Sequence, residues 1–411
     1  MFMMDRTDSE KMKSKIHVLI ISQYFPPDIS GGGTRAFNYA QCLVQQNYDV
    51  TVITAFPHLH SAVPKEFRGK IKHKEKMDGF DLIRVWIPSL LHTSARNRII
   101  LHFSFIVSSF FALFSVKKPD IIFASQPNLF SIIPAYIYSK LRGGKVIRVV
   151  DDLWPEVIYE RDYVKSRFLK NILDNLAKFS YSYPKYILPL TEEAKQVIHK
   201  SYGISNDKIE VLGHGINTKI YTFSERKRQE QFVLMYSGSL VESYDFDIII
   251  KAAQKLKDIK FVIRGKGFLY SYLKEQKEKL GLDNLLIDTT IVPLEQISGA
   301  LGNSDVLLIP LENEYTLNLS LPTKILEYQA TGRPIICCSN GAPGHYVEQT
   351  KSGIRIDCGD LDSFVQTIQK LESDPLLCKT LGNNGRKFVE ENLTFEKIGK
   401  RLSEIIQQIL E

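Results

Sequence analysis

The feature that most restricts the fold of this chain is a pattern that occurs twice: an uninterrupted apolar run, a glycine-bearing turn, then a helical period. The first instance is Lys15-Ile-His-Val-Leu-Ile-Ile-Ser22, a loop containing Pro26, Pro27, Gly31, Gly32 and Gly33, and a helix predicted over 34–46. A strand that is apolar throughout is buried on both faces, so its sheet must carry helices on each side. Asp49–Thr54 supplies the next strand and closes a right-handed βαβ unit. The second instance is Phe232-Val-Leu-Met-Tyr-Ser-Gly238, a helix over 246–257, and Lys260-Phe-Val-Ile-Arg-Gly265.

Alternation continues after each start. Strands are predicted at 81–86, 120–124, 145–150 and 186–190, then at 285–288, 305–309, 334–338 and 354–357, with helices at 99–115, 129–141, 191–200, 267–280, 323–331, 361–371 and 376–390. With 411 residues and about 150 residues per domain, this is an α/β chain with two mostly parallel sheets. The expected division is a flexible tail at 1–14, a first domain at 15–205, a linker at 206–220, a second domain at 221–390 and a final helix at 391–411. That helix is apolar on one side (395, 398, 402, 405, 406, 409) and could cross back to the first domain. Ligands of such sheets sit at the carboxyl ends of the strands, here in a cleft between domains.

Composition narrows the class. Apolar residues make up 44% and charged residues 24%, which excludes a disordered chain and a mostly membrane-embedded one. Five cysteines form no CxxC pair or metal cluster, which points to a reducing, cytoplasmic setting. No apolar stretch precedes Lys15, so no ordinary secretory signal is expected. The net charge of +7 is concentrated: six basic residues lie between Lys65 and Lys76. No nucleic-acid motif accompanies them, and anionic lipid or a phosphorylated substrate suits them equally well. Nearby, Ile99–Val116 has 13 apolar residues of 18, including Phe103, Phe110, Phe111 and Phe114, flanked by Arg96, Arg98, Lys117 and Lys118. A core helix, a helix partly immersed in one leaflet and a true span are all open to it.

Four constellations could carry chemistry. Gly31, Gly32 and Gly33 precede a helix whose free N–H groups suit a phosphate, although the spacing is neither GxGxxG nor a Walker loop. Arg264 and Lys266, in a glycine turn after a strand, could meet a diphosphate; the bland reading is a surface turn. In Pro322-Thr-Lys-Ile-Leu-Glu-Tyr-Gln-Ala-Thr-Gly-Arg-Pro334, Lys324, Glu327 and Tyr328 share one helix face. A cation in the first turn of a helix is unfavourable by about 0.3–1 kcal/mol unless an anion covers it; the bland reading is a Lys324–Glu327 surface pair. Asp152, Trp154 and Glu156 follow a strand end, where carboxylates could bind or deprotonate a hydroxyl and an indole could face a sugar, unless Arg148 or Arg161 pairs with the acids. No Asp-x-Asp sequence suggests a metal site.

Taken in order, these motifs resemble the retaining GT-B glycosyltransferases of family 4, over about residues 15–410. Phe25-Pro-Pro-Asp-Ile-Ser-Gly-Gly-Gly33 is similar to that family's first loop, Val211-Leu-Gly-His-Gly-Ile-Asn217 to its interdomain stretch, and Glu327–Ile335 to its late helix-and-strand segment. Asp152-Leu-Trp-Pro-Glu156 with Pro322-Thr-Lys324 is most similar to the bacterial O-antigen and capsule branch that transfers N-acetyl-fucosamine or related amino sugars. The resemblance implies two Rossmann-like domains, a nucleotide-diphosphate sugar as donor, UDP-linked in this branch, and a polyprenyl-diphosphate-linked saccharide as acceptor. It also implies peripheral attachment to the inner face of the cell membrane, no metal or other cofactor, and no nucleic acid.

Carried over by position, Glu327 looks like the second glutamate of the E-x7-E motif, which holds the ribose. Leu319 stands where the first would be, Ser239 and Tyr244 where a basic pair would follow Gly238, and Ser125-Gln126-Pro127 where a histidine is common. The donor is then expected on Gly31, Gly32, Gly33, Gly238, Arg264, Lys266, Lys324 and Glu327, and the acceptor on Asp152, Trp154 and Glu156. Asp152, Lys324 and Arg264 would be catalytic, the cations by stabilising charge on the departing diphosphate. Competing accounts are a nucleotide-sugar epimerase or hydrolase of similar architecture, and a non-catalytic nucleotide-sugar-binding regulator or scaffold.

Overall fold

The computed structural model describes residues 15–28, 31–58, 63–90, 95–126, 129–160, 162–223 and 231–411. The tail at 1–14 lies outside the described residues, as does Arg161.

The first sheet contains β1 (His17–Ile21), β2 (Asp49–Ala55), β3 (Lys72–Met77), β4 (Phe80–Val85), β5 (Ile121–Ser125), β6 (Lys145–Val149) and β7 (Tyr186–Leu188) in the order β3-β4-β2-β1-β5-β6-β7. All neighbours pair in parallel except β3 with β4. β1 is buried along its whole length, as a central parallel strand must be. Around this sheet lie α1 (Gly31–Gln45), α2 (Ala95–Leu113), α3 (Ile132–Arg142), α4 (Glu156–Glu160), α5 (Arg167–Ser182) and α6 (Glu192–Tyr202).

The second sheet holds β8 (Val233–Ser237), β9 (Lys260–Arg264), β10 (Leu285–Asp288), β11 (Val306–Pro310), β12 (Ile335–Cys338) and β13 (Gly353–Ile356), ordered β10-β9-β8-β11-β12-β13 and parallel throughout. Its helices are α7 (Phe246–Lys255), α8 (Tyr270–Leu280), α9 (Ile297–Gly302), α10 (Thr323–Ala330), α11 (Ala342–Gln349), α12 (Leu361–Ser373) and α13 (Pro375–Asn392). The last helix, α14 (Phe395–Leu410), packs on α1, with Gly399 close to the Cys42 carbonyl and Gln46. These are two Rossmann-like domains of GT-B type.

Three details differ from the sequence reading. The triple glycine is the first turn of α1 and not a loop ahead of it, so the helix starts at Gly31 and not at 34. The lysine-rich run at 72–77 is strand β3, whose Lys72, Lys74 and Lys76 face solvent. Charged side chains on an edge strand discourage pairing with other chains, which gives that basic run a structural purpose of its own. α2 begins at Ala95, and no helix among the described residues is long and apolar enough to cross a membrane.

Candidate functional site

In the second domain the strand ends and their loops interlock. The Gly238 amide donates to the Arg264 carbonyl at 2.9 Å, and the Leu240 amide to the Lys266 carbonyl at 2.9 Å. A Cβ on Gly265 would run into the Gly238 carbonyl, so the glycine is needed for this close backbone approach. Arg264 turns sideways: its Nε donates to the Asp288 carboxylate at 2.8 Å, at the end of β10. That pairing corrects the expectation of an open guanidinium aimed at a diphosphate, because a neighbouring acid already holds it. Its Nη1 is buried without a partner. Lys266 is exposed.

Lys324 is placed differently. The hydrophobic positions Ile325, Leu326 and Tyr328 bury α10 against the sheet, and the Tyr328 hydroxyl both accepts from the Ser237 amide (3.0 Å) and donates to the Ser237 carbonyl (3.1 Å). With the helix pinned there, Lys324 lies over Gly238, where a Cβ would collide with its Cε. Its ammonium donates to the Tyr244 hydroxyl at 2.8 Å and sits 4.4 Å from the Tyr244 ring centroid and 5.3 Å from that of Tyr236. No ion pair between Lys324 and Glu327 forms, which disposes of the surface-pair reading. Glu327 lies beside the Tyr221 hydroxyl, just past the linker. Burial pushes the Glu327 carboxyl up from the ordinary range, opposed by Lys324 and by the neighbouring Tyr221 hydroxyl.

In the first domain, the decisive side chain is one that sequence reasoning passed over. Arg35, fully buried on α1, has five N–H donors, and each is used. Nε donates to the Tyr39 hydroxyl (3.0 Å), Nη1 to the Val150 carbonyl (3.0 Å) and Asp151 Oδ1 (3.1 Å), and Nη2 to the carbonyls of Leu188 (3.1 Å) and Leu212 (2.7 Å). One guanidinium thus ties α1 to the ends of β6 and β7 and to the linker. Asn38 and Tyr39, on the same helix face, add bonds to the carbonyls of Gly215 (2.8 Å) and Gly213 (3.0 Å). His214 is buried beside Arg35 and the Leu321 backbone, and burial with that positive neighbour pushes its pKa well below the ordinary histidine value. Arg35 in the second turn of α1 and Leu321, two residues ahead of α10, thus both border His214.

Asp152, half-buried, follows the Arg35-held Asp151. Trp154 is half-buried and meets the His102 ring edge-on at 6.1 Å. Glu156 departs from expectation. It opens α4, is turned inward and accepts from the Tyr202 hydroxyl at 2.8 Å, with its other oxygen buried and without a partner. Burial raises its pKa. Arg148 pairs with neither acid: it donates to the Ala124 carbonyl (3.2 Å), the Leu129 carbonyl (3.3 Å) and the Ser131 hydroxyl (2.7 Å).

A second group missed in the sequence lies at the carboxyl end of β1. His102, from α2, donates through Nδ1 to the Gln23 carbonyl oxygen at 2.7 Å, and the Gln23 amide reaches His58 Nε2 at 3.3 Å. His58 Nδ1 donates to the Phe56 carbonyl at 2.8 Å, which fixes its tautomer, and burial lowers its pKa to about 4. Only a polar environment at a strand end explains two buried histidines and a glutamine so close together.

Contacts between the domains cluster ahead of α10 and on α11. The Glu160 carboxylate accepts from the Tyr315 amide, from the Thr316 amide (3.0 Å) and from the Thr316 hydroxyl (2.5 Å). The Thr191 hydroxyl donates to the Leu319 carbonyl at 2.6 Å, and His345 lies 3.0 Å from Glu193. Leu319, at the place of the absent glutamate, packs on an apolar cluster of the first domain. Among the described residues no group of three or more His, Cys, Asp or Glu is placed to hold a metal ion.

Comparison with known proteins agrees with this fold. The model of Glycosyltransferase Family 4 matches residues 29–220 and that of Glycosyl transferases group 1 matches 217–388, so the two together run through both domains. The chain belongs to the GT-B glycosyltransferases of the family 4 group. It is 24% identical to the capsular polysaccharide biosynthesis glycosyltransferase CapM of Staphylococcus aureus, over 88% of this chain and 96% of that protein. With the putative colanic acid biosynthesis glycosyl transferase WcaI of Escherichia coli it shares 23%, over 65% of this chain and 70% of WcaI. Among solved structures, sucrose-phosphate synthase from Thermosynechococcus elongatus superposes with a TM-score of 0.77 at 14% identity, covering 96% of this glycosyltransferase and 99% of that chain. Anabaena Alr3699/HepE in complex with UDP-glucose gives 0.66 at 13%, covering 96% and 100%. The activity is transfer of a sugar from a nucleotide-diphosphate donor to an acceptor. Lys324, expected from the sequence to meet the donor's diphosphate, has its ammonium over the Gly238 turn at the carboxyl end of β8.

Proposed function

We propose that this glycosyltransferase moves an N-acetylated hexosamine or deoxy-amino sugar, with retention, from a UDP-linked donor to a hydroxyl of a polyprenyl-diphosphate-linked saccharide at the inner face of the cell membrane. The observation that carries this reading is the two-sided character of α2. Leu101, Phe105, Ala112 and Leu113 are buried against the sheet, while Ile99, Phe103, Val107 and Phe111 stand exposed at intervals of four, continued by Phe114 just past the helix. That ridge is roughly 20 Å long at 1.5 Å per residue. Phe110 is half-buried and props Phe111 and Phe114, with ring centroids 5.4 Å from each, so it supports the ridge without belonging to it.

Cations frame the ridge. Arg96 is exposed at its start and Arg98 lies 5.6 Å from the Tyr163 ring. At its end Lys117 and Lys118 are exposed, and Lys72 of β3 donates to the Ser115 hydroxyl at 2.7 Å. Rings in the acyl boundary with cations at the headgroups is the pattern of an interfacial helix. The same helix carries His102, next to Phe103, to the polar cluster beside Trp154. A lipid-anchored acceptor would then pass from the bilayer along α2 to Asp152. The roles in surface-polymer biosynthesis named for CapM and WcaI support a surface-glycan product.

Cosedimentation with vesicles containing about one-third anionic lipid tests the membrane step. Binding is expected for the native chain and should fall at least about tenfold for a variant with Phe103, Phe111 and Phe114 changed to serine, since burying each ring is worth roughly 1.5–3 kcal/mol. Equal binding by both, or none by either, contradicts it. A panel of nucleotide sugars against synthetic polyprenyl-diphosphate saccharides tests the reaction. Transfer from a UDP-amino sugar is expected, with Asp152→Asn slower by at least about tenfold through lost orientation of the acceptor. Release of free sugar without transfer favours a hydrolase.

A further inference from the structure

Building on the assignment of Lys324 as the diphosphate cation, we propose that Tyr244 is a positioning residue which, with Tyr236, holds the Lys324 ammonium in place before the nucleotide arrives. A lysine side chain is a point charge on a flexible four-carbon stem, and it stabilises a developing charge best when its position is settled in advance. Here the end of the stem is restrained. Its terminal carbon Cε and its ammonium lie over Gly238, where no side chain fits beside them. The ammonium lies against two phenol rings, at 4.4 Å and 5.3 Å from their centroids, and gives one hydrogen bond to the Tyr244 hydroxyl at 2.8 Å.

The cage is itself anchored. The Tyr236 hydroxyl donates to the Ser239 carbonyl at 2.6 Å, its ring meets the edges of Tyr244 and Phe246 with centroids 5.0 Å apart, and the Tyr244 backbone bridges to Leu311 at the end of β11. An ammonium has three donors. Tyr244 occupies one, so two donors and the whole charge remain for an anion, because the rings and hydroxyl carry no charge to neutralise it. The cage also helps a cation to sit in the first turn of α10 with no carboxylate in direct contact: the π faces supplement the nearby Glu327 charge. Tyr244 lies in the loop after β8, about 80 positions from Lys324, so helix-face arguments on 322–334 alone could not show the pair.

The test is calorimetric titration of the intact protein with UDP, GDP, ADP and dTDP and with each monophosphate, scored on the diphosphate that the native protein binds most tightly. Four proteins are compared: native, Lys324→Ala, Tyr244→Phe and Tyr244→Leu. Lys324→Ala should weaken the diphosphate about 100-fold and the monophosphate little. Tyr244→Phe, which keeps the ring and loses the hydroxyl, should weaken the diphosphate about fivefold to tenfold, and Tyr244→Leu about 30-fold or more, each leaving the monophosphate within about twofold. Both Tyr244 variants matching the native protein while Lys324→Ala weakens would overturn the inference and leave the cation's role standing. Equal loss of mono- and diphosphate would also overturn it, as the mark of a merely structural tyrosine. A Lys324→Ala protein that binds diphosphate normally removes the assignment on which the inference rests.

Discussion

Replacing Arg35 with methionine is expected to destabilise the protein by about 3–5 kcal/mol, the cost of leaving a buried carboxylate without its partner. Asp151 is buried, its second oxygen already lacks a hydrogen bond, and burial pushes its pKa up even with Arg35 in place. The change also strands the carbonyls of Val150, Leu188 and Leu212. Lysine should rescue little, because three donors on a single nitrogen cannot reach acceptors spread over two strand ends and the linker. Thermal unfolding followed by circular dichroism should show a midpoint lower by roughly 10 °C. A fall of less than about 2 °C would mean that the five bonds are not what joins α1 to the linker.

The second large effect is on turnover. Lys324→Ala is expected to lower kcat/KM for the donor by about 10²–10³, the usual consequence of removing one preorganised group from a developing anion. Its unfolding midpoint should stay close to native, since the ammonium makes no ion pair within the protein. Initial rates with the best donor and acceptor of the transfer panel, measured beside the unfolding curve, separate the two effects. A rate within about threefold of native would remove Lys324 from the chemistry.

How much of this was legible in the sequence depended on how local the evidence was. Continuous apolar runs such as His17–Ile21 and Val306–Pro310 announced both parallel sheets, because a strand buried on two faces has no polar alternation to confuse the reading. β3 escaped because Lys-His-Lys-Glu-Lys-Met offers no apolar face to detect. α5 escaped for the opposite reason: Phe168, Leu169 and Ile172 are exposed and apolar, so the stripe formed by Leu173, Ala177 and Tyr181 does not stand out. At the site, Lys324 could be found from its place in the first turn of a helix. Arg35, Gln23, His58 and His102 could not, since the long-range bonds that bring them to the site span 35 to 177 positions. Glu156 misled because a carboxylate after a strand end looks like a rim residue, and only the fold shows it turned to Tyr202.

The seating of α14 on α1 bears on how this enzyme and its relatives could be recombined. A chimera that exchanges second domains at the linker would naturally carry the final helix along with the imported part. Yet Phe395 and Ile398 close over Gly215 and Cys42, and the Ile216 amide bonds the Leu393 carbonyl at 2.7 Å. The surface that receives residues 395–410 therefore belongs to the first domain and the linker, and a recombinant should keep its native terminus with α1 while everything from about 221 to 392 is swapped.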